Sequence, residues 1–182
     1  MPRVFLGIDL PDNLKAKIED FKLSNKLNKL PLKLVEQENA HIAIKFLDDL
    51  TDEQIAKVSQ NLRQNIVDFK SFTVQIKDSL VFPNLEQPRV LALKVISSNL
   101  EGLVKKISRG WIGLDFIPVE ERKYTPHITL GRVKDDLTAR EKEKIFKLTF
   151  EESFMAAAIQ LFESKLMPAG PSYKILEEFK LK

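Results

Sequence analysis

Residues 39–47 read NAHIAIKFL and residues 125–133 read TPHITLGRV. In both stretches a histidine opens a run in which apolar residues alternate with others, the two-residue period of a strand with one buried face. The chain's two histidines, His41 and His127, therefore stand in matching contexts, His41-Ile42-Ala43-Ile44 and His127-Ile128-Thr129-Leu130. Alternation places Ala43 on the face of His41, and Thr129 on the face of His127. It also sets His41, Ala43 and Lys45 against Ile42, Ile44 and Phe46, the second group being the one expected in the core. The motifs lie close to half of the 182-residue chain apart, and a helix pattern follows each, which points to two related halves. A lone histidine in an apolar strand is more often a hydrogen-bonded core residue than a catalyst. Two in one shared context call for another explanation.

Outward from these strands, Arg3 to Asp9 is short, apolar and stopped by Pro11, which suits a buried strand; a helix is expected from near Asp12 to about Asn28, before Pro31. Thr51 with Gln54 forms a capping-box pattern and opens a helix with Ile55, Val58, Leu62 and Ile66 on its buried stripe, ending near Phe69. Phe72 to Phe82 and Arg89 to Ile96 read as strands joined by the turn-forming stretch Pro83 to Pro88. Ser98 or Asn99 is expected to cap a helix through Leu103, Val104 and Ile107 towards Trp111, and Asp136 and Thr138 to start a short one. Leu148 to Leu166 and Tyr173 to Phe179 close the chain as strands, with Pro168, Gly170 and Pro171 as turn residues between them. Mixing hairpins with helices in this order predicts the α+β class, with largely antiparallel sheets flanked by helices. No linker interrupts the pattern, so residues 1–182 are expected to form one domain.

With no cysteine, disulfides, thiolate nucleophiles and cysteine-held zinc or iron–sulfur centres are excluded. Lysine and arginine number 29 against 26 acidic residues, so a net charge of +3 does not by itself imply nucleic-acid binding, and any RNA contact must be local. Lys22, Lys26, Lys29 and Lys33 form the densest basic stretch and read as a solvated helix face, the alternative being a phosphate-contacting strip. No apolar run approaches the roughly 20 residues of a membrane span, and no signal peptide precedes the first strand, so a cytoplasmic protein is expected.

Opening a cyclic phosphodiester with water requires a base for the nucleophile and an acid for the leaving oxygen. Two imidazoles, each titrating near 6.5 when unperturbed, can supply both at neutral pH without a metal or other cofactor. Two histidines with no carboxylate beside them in either motif make a poor metal site. The paired motifs resemble the twin H-x-[TS]-x signatures of the 2H phosphoesterase superfamily. RVFLGIDLP, NAHIAIKFL, FPNLEQPRVLAL, YTPHITLGRV and LFESKLMPAGPSY together resemble, over essentially the whole chain, its RNA 2',3'-cyclic phosphodiesterase family, formerly called 2'-5' RNA ligase.

That resemblance implies a bilobal fold of two pseudo-symmetric lobes around a central cleft. It implies hydrolysis of a 2',3'-cyclic phosphate at an RNA end to a 2'-phosphomonoester, with no cofactor and no metal, by a monomer. His41 would then be the proton donor, His127 the base that activates water, and Thr129 a hydrogen-bond donor to phosphate. Arg132 matches a basic position that follows the second motif; strict alternation from His127 turns it away, so its phosphate-binding role needs a bulge or the strand's end. Ala43 departs from the family pattern of threonine or serine. Lys45, expected on the same face, is a candidate to compensate with positive charge, making the expected phosphate-binding set Thr129, Arg132 and Lys45. Pro126 is expected to extend Thr125 and so present His127. Tyr124, Phe82 and Trp111 are candidates to stack a base, core packing being the stronger reading for the last two. The alternatives are a weakly active or non-catalytic module that binds RNA ends, and a related 2H enzyme for another cyclic phosphate or for 2'-5' RNA linkages.

Overall fold

The computed structural model describes residues 1–119, 123–167 and 170–182. In chain order the elements are β1 (Arg3–Asp9), α1 (Asp12–Ser24), β2 (Leu32–Leu34), β3 (His41–Asp49), α2 (Asp52–Ile66), β4 (Phe72–Phe82), β5 (Val90–Ile96), α3 (Ser98–Gly110), β6 (His127–Val133), α4 (Ala139–Phe146), β7 (Glu151–Ala156), β8 (Ala158–Met167) and β9 (Gly170–Lys180). The mixture is α+β, as the alternation and capping patterns predict. All strand pairings among the described residues are antiparallel, and they run β7-β4-β5-β6-β3-β1-β8-β9, with β2 attached to β6.

The two histidine strands meet in the middle of this order, where β3 and β6 touch through one register pair, Ile42 with Ile128. Outward from that seam, β3 is followed by β1, β8 and β9, and β6 by β5, β4 and β7. In each half the chain reaches its motif strand from that strand's outer neighbour by way of a helix, β1-α1-β3 on one side and β5-α3-β6 on the other. Two related halves are thus present, sharing one sheet.

Sequence patterning accounts for most of these elements. Thr51 caps α2, its side chain accepting from the Gln54 N–H while Gln54 answers to the Thr51 N–H, and Thr138 caps α4 with Glu141 in the same way. Ile42 and Ile44 of β3, Ile128 and Leu130 of β6 and Leu91 and Leu93 of β5 are buried beneath the helices, which contribute Leu14, Ile18, Val58, Leu62, Leu100, Leu103 and Ile107. Each fully buried side chain of this size stabilises the fold by about 1.5–3 kcal/mol before entropy is counted.

Several boundaries differ from expectation. The first helix stops at Ser24 rather than about Asn28, because Lys26 takes a left-handed backbone (φ 52°) and the chain re-forms as a short 3-10 turn at Leu27–Lys29. Ser97, not Ser98 or Asn99, caps α3, its hydroxyl accepting from the Leu100 N–H. The stretch Leu148 to Leu166 is two strands. β7 pairs with β4 on one half, and after the single residue Ala157 the chain continues as β8 paired with β1 on the other, so the sheet must curl back upon itself. Of the expected turn 168–171, Pro168 and Ala169 lie outside the described residues. No helix among the described residues is long and apolar enough to cross a membrane.

Candidate active site

His41 begins β3 and His127 begins β6, so the seam presents both imidazoles to one cleft of about 520 Å³. Each ring is held identically: His41 Nδ1 lies 2.7 Å from the Asn39 carbonyl oxygen, and His127 Nδ1 lies 2.8 Å from that of Thr125. A carbonyl can only accept, so Nδ1 carries the proton in both and Nε2 is left to exchange protons. Pro126 separates Thr125 from His127, and its own carbonyl accepts from the Val95 N–H of β5, which steadies this entry into the strand.

The surroundings of the rings differ. His41 sits among Phe5, Tyr173 and Phe162, at centroid distances of 4.9, 5.0 and 6.1 Å, whereas His127 has Phe82 at 4.8 Å. Burial among those rings pulls the His41 pKa below its ordinary 6.5; its bond to the Asn39 carbonyl and the charge of Asp9 oppose the shift, and His127 and Lys15 add to it. Asp9 is the register partner of His41 on β1 and is itself bridged by Lys15 at 2.7 Å, while the equivalent partner of His127 on β5 is a lysine, Lys94.

Both motif strands carry one extra residue at the same motif position. β1–β3 pairing shifts between Gly7 with Ala43 and Leu6 with Lys45, leaving Ile44 unmatched. β5–β6 pairing shifts between Ala92 with Thr129 and Leu91 with Gly131, leaving Leu130 unmatched. A bulge inverts the alternation beyond it. On β6 this turns Arg132 into the cleft beside His127 and Thr129, supplying the device its expected role requires. On β3 it has the reverse effect on expectation. Phe46, assigned to the core by alternation, is 55% exposed and lines the cleft, whereas Lys45 faces a separate depression with Trp111 and residues 112–119. The structure therefore does not bring Lys45 together with His41 and Ala43.

Of the three aromatic candidates, Phe82 lines the cleft rather than packing wholly in the core. Trp111 is 5% exposed and belongs to the core. Tyr124 packs against the core and donates its hydroxyl to the Ala43 carbonyl oxygen at 3.0 Å, and its burial raises the phenol pKa. Tyr173 and Phe46 are cleft aromatics that alternation does not reveal. Lys33 is another cleft residue, brought in by β2, whose pairing sets it beside Arg132. The basic stretch containing it is not one helix face, since α1 ends before Lys26 and Lys22 is buried, bonded to Glu19 and to the Val35 carbonyl oxygen at 2.5 and 2.7 Å. Among the described residues no group of three or more histidine, aspartate or glutamate side chains is placed to hold a metal ion.

One cleft thus collects two backbone-anchored imidazoles, a hydroxyl from Thr129 and cations from Arg132 and Lys33, which is a site for moving two protons around an anion. The model of the 2'-5' RNA ligase superfamily matches residues 10–166, and the chain belongs to that family of two-histidine phosphoesterases. It is 36% identical to the RNA 2',3'-cyclic phosphodiesterase of Methanocaldococcus jannaschii over 97% of this chain and 99% of that one. It is 30% identical to the protein of that name from Methanothermobacter thermautotrophicus, over 98% of each. In fold it is similar to a protein of Thermus thermophilus (TM-score 0.86, 23% identity, 98% and 97% of the two chains). It is also similar in fold to Escherichia coli LigT complexed with 3'-AMP (TM-score 0.81, 21% identity, 99% and 98%).

Proposed function

We propose that this chain hydrolyses 2',3'-cyclic phosphate ends of RNA to 2'-phosphomonoesters without a metal or cofactor, with His41 as general acid and His127 as general base. The observation that carries the reading is the matched anchoring of the two imidazoles by the Asn39 and Thr125 carbonyls, which leaves two Nε2 atoms for one cleft. Full-length relatives named RNA 2',3'-cyclic phosphodiesterase support it.

In the reaction, neutral His127 takes a proton from water at Nε2 as the water oxygen bonds to phosphorus. The bond from phosphorus to the 3' oxygen breaks, and protonated His41 delivers its Nε2 proton to that oxygen, leaving a 3'-hydroxyl and a 2'-phosphate. His41 returns to the neutral Nδ1–H form that the Asn39 carbonyl already holds. His127 becomes an imidazolium whose Nδ1–H is met by the Thr125 carbonyl. Thr129, with Arg132 and Lys33, stabilises charge on the phosphate oxygens that do not leave. Phe46 and Phe82 offer faces for the terminal base. The unit is taken to be one domain over residues 1–182, a monomer, in the cytoplasm.

The test is incubation of a short RNA ending in a 2',3'-cyclic phosphate with the protein in EDTA, with the product separated by phosphate position. A 2'-phosphate is expected. A 3'-phosphate would reverse the acid and base sides of the cleft, and dependence on added metal would remove the two-histidine mechanism. A second reading, binding of RNA ends with little turnover, is favoured by Ala43, which leaves the first motif without a side-chain hydroxyl. Binding of the cyclic end with no product from the wild type would select it.

A further inference from the structure

The two halves present unequal phosphate donors. Thr129 and Ala43 occupy matching places, two residues after a histidine and just ahead of the bulge, yet only Thr129 carries a hydroxyl. The Ala43 backbone carbonyl can only accept, and does so from the Tyr124 hydroxyl, so it offers phosphate no donor either. On the same side of the cleft Tyr173 enters from β9, its register fixed by pairing with Ser164 of β8. Its ring meets His41 edge-on at 5.0 Å and Phe5 edge-on at 5.0 Å, so both the plane and the direction of the phenol are set by packing.

Among the described residues no hydrogen bond to the Tyr173 hydroxyl is formed. Tyr173 lines the cleft together with Arg132 of the other half and Glu36, and the charges of both act on its phenol. Burial also keeps the phenol protonated at working pH, so it can donate.

We propose that Tyr173 donates its phenolic hydrogen to a non-leaving phosphate oxygen of the substrate, doing on the His41 side what Thr129 does on the His127 side and replacing the hydroxyl absent at position 43. This rests on the cyclic-phosphate reading and adds a substrate-contacting residue to it. Tyr173 also explains how a half-site with alanine at this position can remain competent.

The experiment is a double-mutant cycle on a short RNA with a 2',3'-cyclic phosphate, using the wild type, Tyr173→Phe, Ala43→Thr and the double variant. Tyr173→Phe keeps the ring packing and should lower kcat/KM about 10–100-fold, the weight of one hydrogen bond to a charged group. Ala43→Thr should recover at least about ten times more activity in the Tyr173→Phe background than it adds to the wild type, because the two hydroxyls serve one oxygen. Wild-type activity in Tyr173→Phe overturns the proposal and assigns the ring to stacking. An equal effect of Ala43→Thr in both backgrounds also overturns it. Calorimetric titration of a nucleoside 2'-phosphate reads the same contact without turnover: weaker binding to Tyr173→Phe is expected, and equal binding contradicts the contact. If the wild type hydrolyses nothing, the functional reading fails, and this titration still decides on Tyr173.

Discussion

At His41, burial and charge act against each other. The rings of Phe5, Phe162 and Tyr173 favour the neutral imidazole, while Asp9, its partner on β1, favours the charged one. The net effect is a pKa below 6.5, so the proton that the proposed mechanism draws from His41 is present in the free protein only on the acidic side. The limb of the kcat/KM profile assigned to His41 should lie below 6.5, with activity falling as pH rises through it, and nuclear magnetic resonance titration of the His41 ring should give the same value. A His41 midpoint above 6.5 would contradict this account of its environment. Asp9→Asn should move that midpoint further down by removing the nearby negative charge, and an unchanged titration would show that Lys15 already cancels Asp9. Stability follows from the same lowered pKa but runs the opposite way with pH. Between the folded value and the unfolded value near 6.5 the unfolded chain binds more protons, so stability is lost as pH falls through that window and is flat above it. The urea midpoint of the wild type should therefore drop more between pH 8 and pH 5 than that of His41→Gln; equal drops would count against it.

The elements show where sequence reading succeeds and where it stops. Alternation reveals both motif strands, and capping residues mark α2 and α4, because these signals are repeated or chemically specific. The bulges at Ile44 and Leu130 leave no mark, since one extra residue of ordinary type changes only the phase of the residues beyond it. That phase decides which of Lys45, Phe46 and Arg132 enter the cleft. β2 is invisible for a different reason: three residues after a proline are too short for a period, and with β2 goes the reading of Lys33. The bulge predicts a contrast. Arg132→Ala should lower kcat/KM by about 10–100-fold, the weight of one or two charge-assisted bonds, whereas Lys45→Met should stay within a few-fold of wild type in the same assay. Matching losses in the two variants would put the phase assignment of β3 in error. Packing around the bulge adds a stability test. A Cβ on Gly7 would lie 2.8 Å from the Ile42 carbonyl oxygen, a backbone atom that cannot swing aside, so Gly7→Ala should cost about 1–3 kcal/mol by urea denaturation. A neutral change would show that the β1–β3 pair has slack there.

Over the whole molecule, the candidate site lies where two halves meet. One register pair joins β3 to β6, and β2 of the first half adds three more along β6, so the cleft is framed by residues of both halves. A ligand that spans the seam should therefore brace one half against the other. A product nucleotide with a 2'-phosphate at about 100 times its Kd should add about 2.7 kcal/mol to stability, seen as a higher melting temperature, and the gain should shrink in Arg132→Ala. In the proposed mechanism the two histidines are one catalytic unit, each supplying one proton transfer to a single displacement at phosphorus. The decisive measurement is the single-turnover rate on a cyclic-phosphate RNA in EDTA for His41→Ala, His127→Ala and the double variant. Each single change should cost about 10²–10⁴-fold, and the double variant should be little slower than the worse single one. Wild-type turnover in either single variant would contradict the two-histidine mechanism.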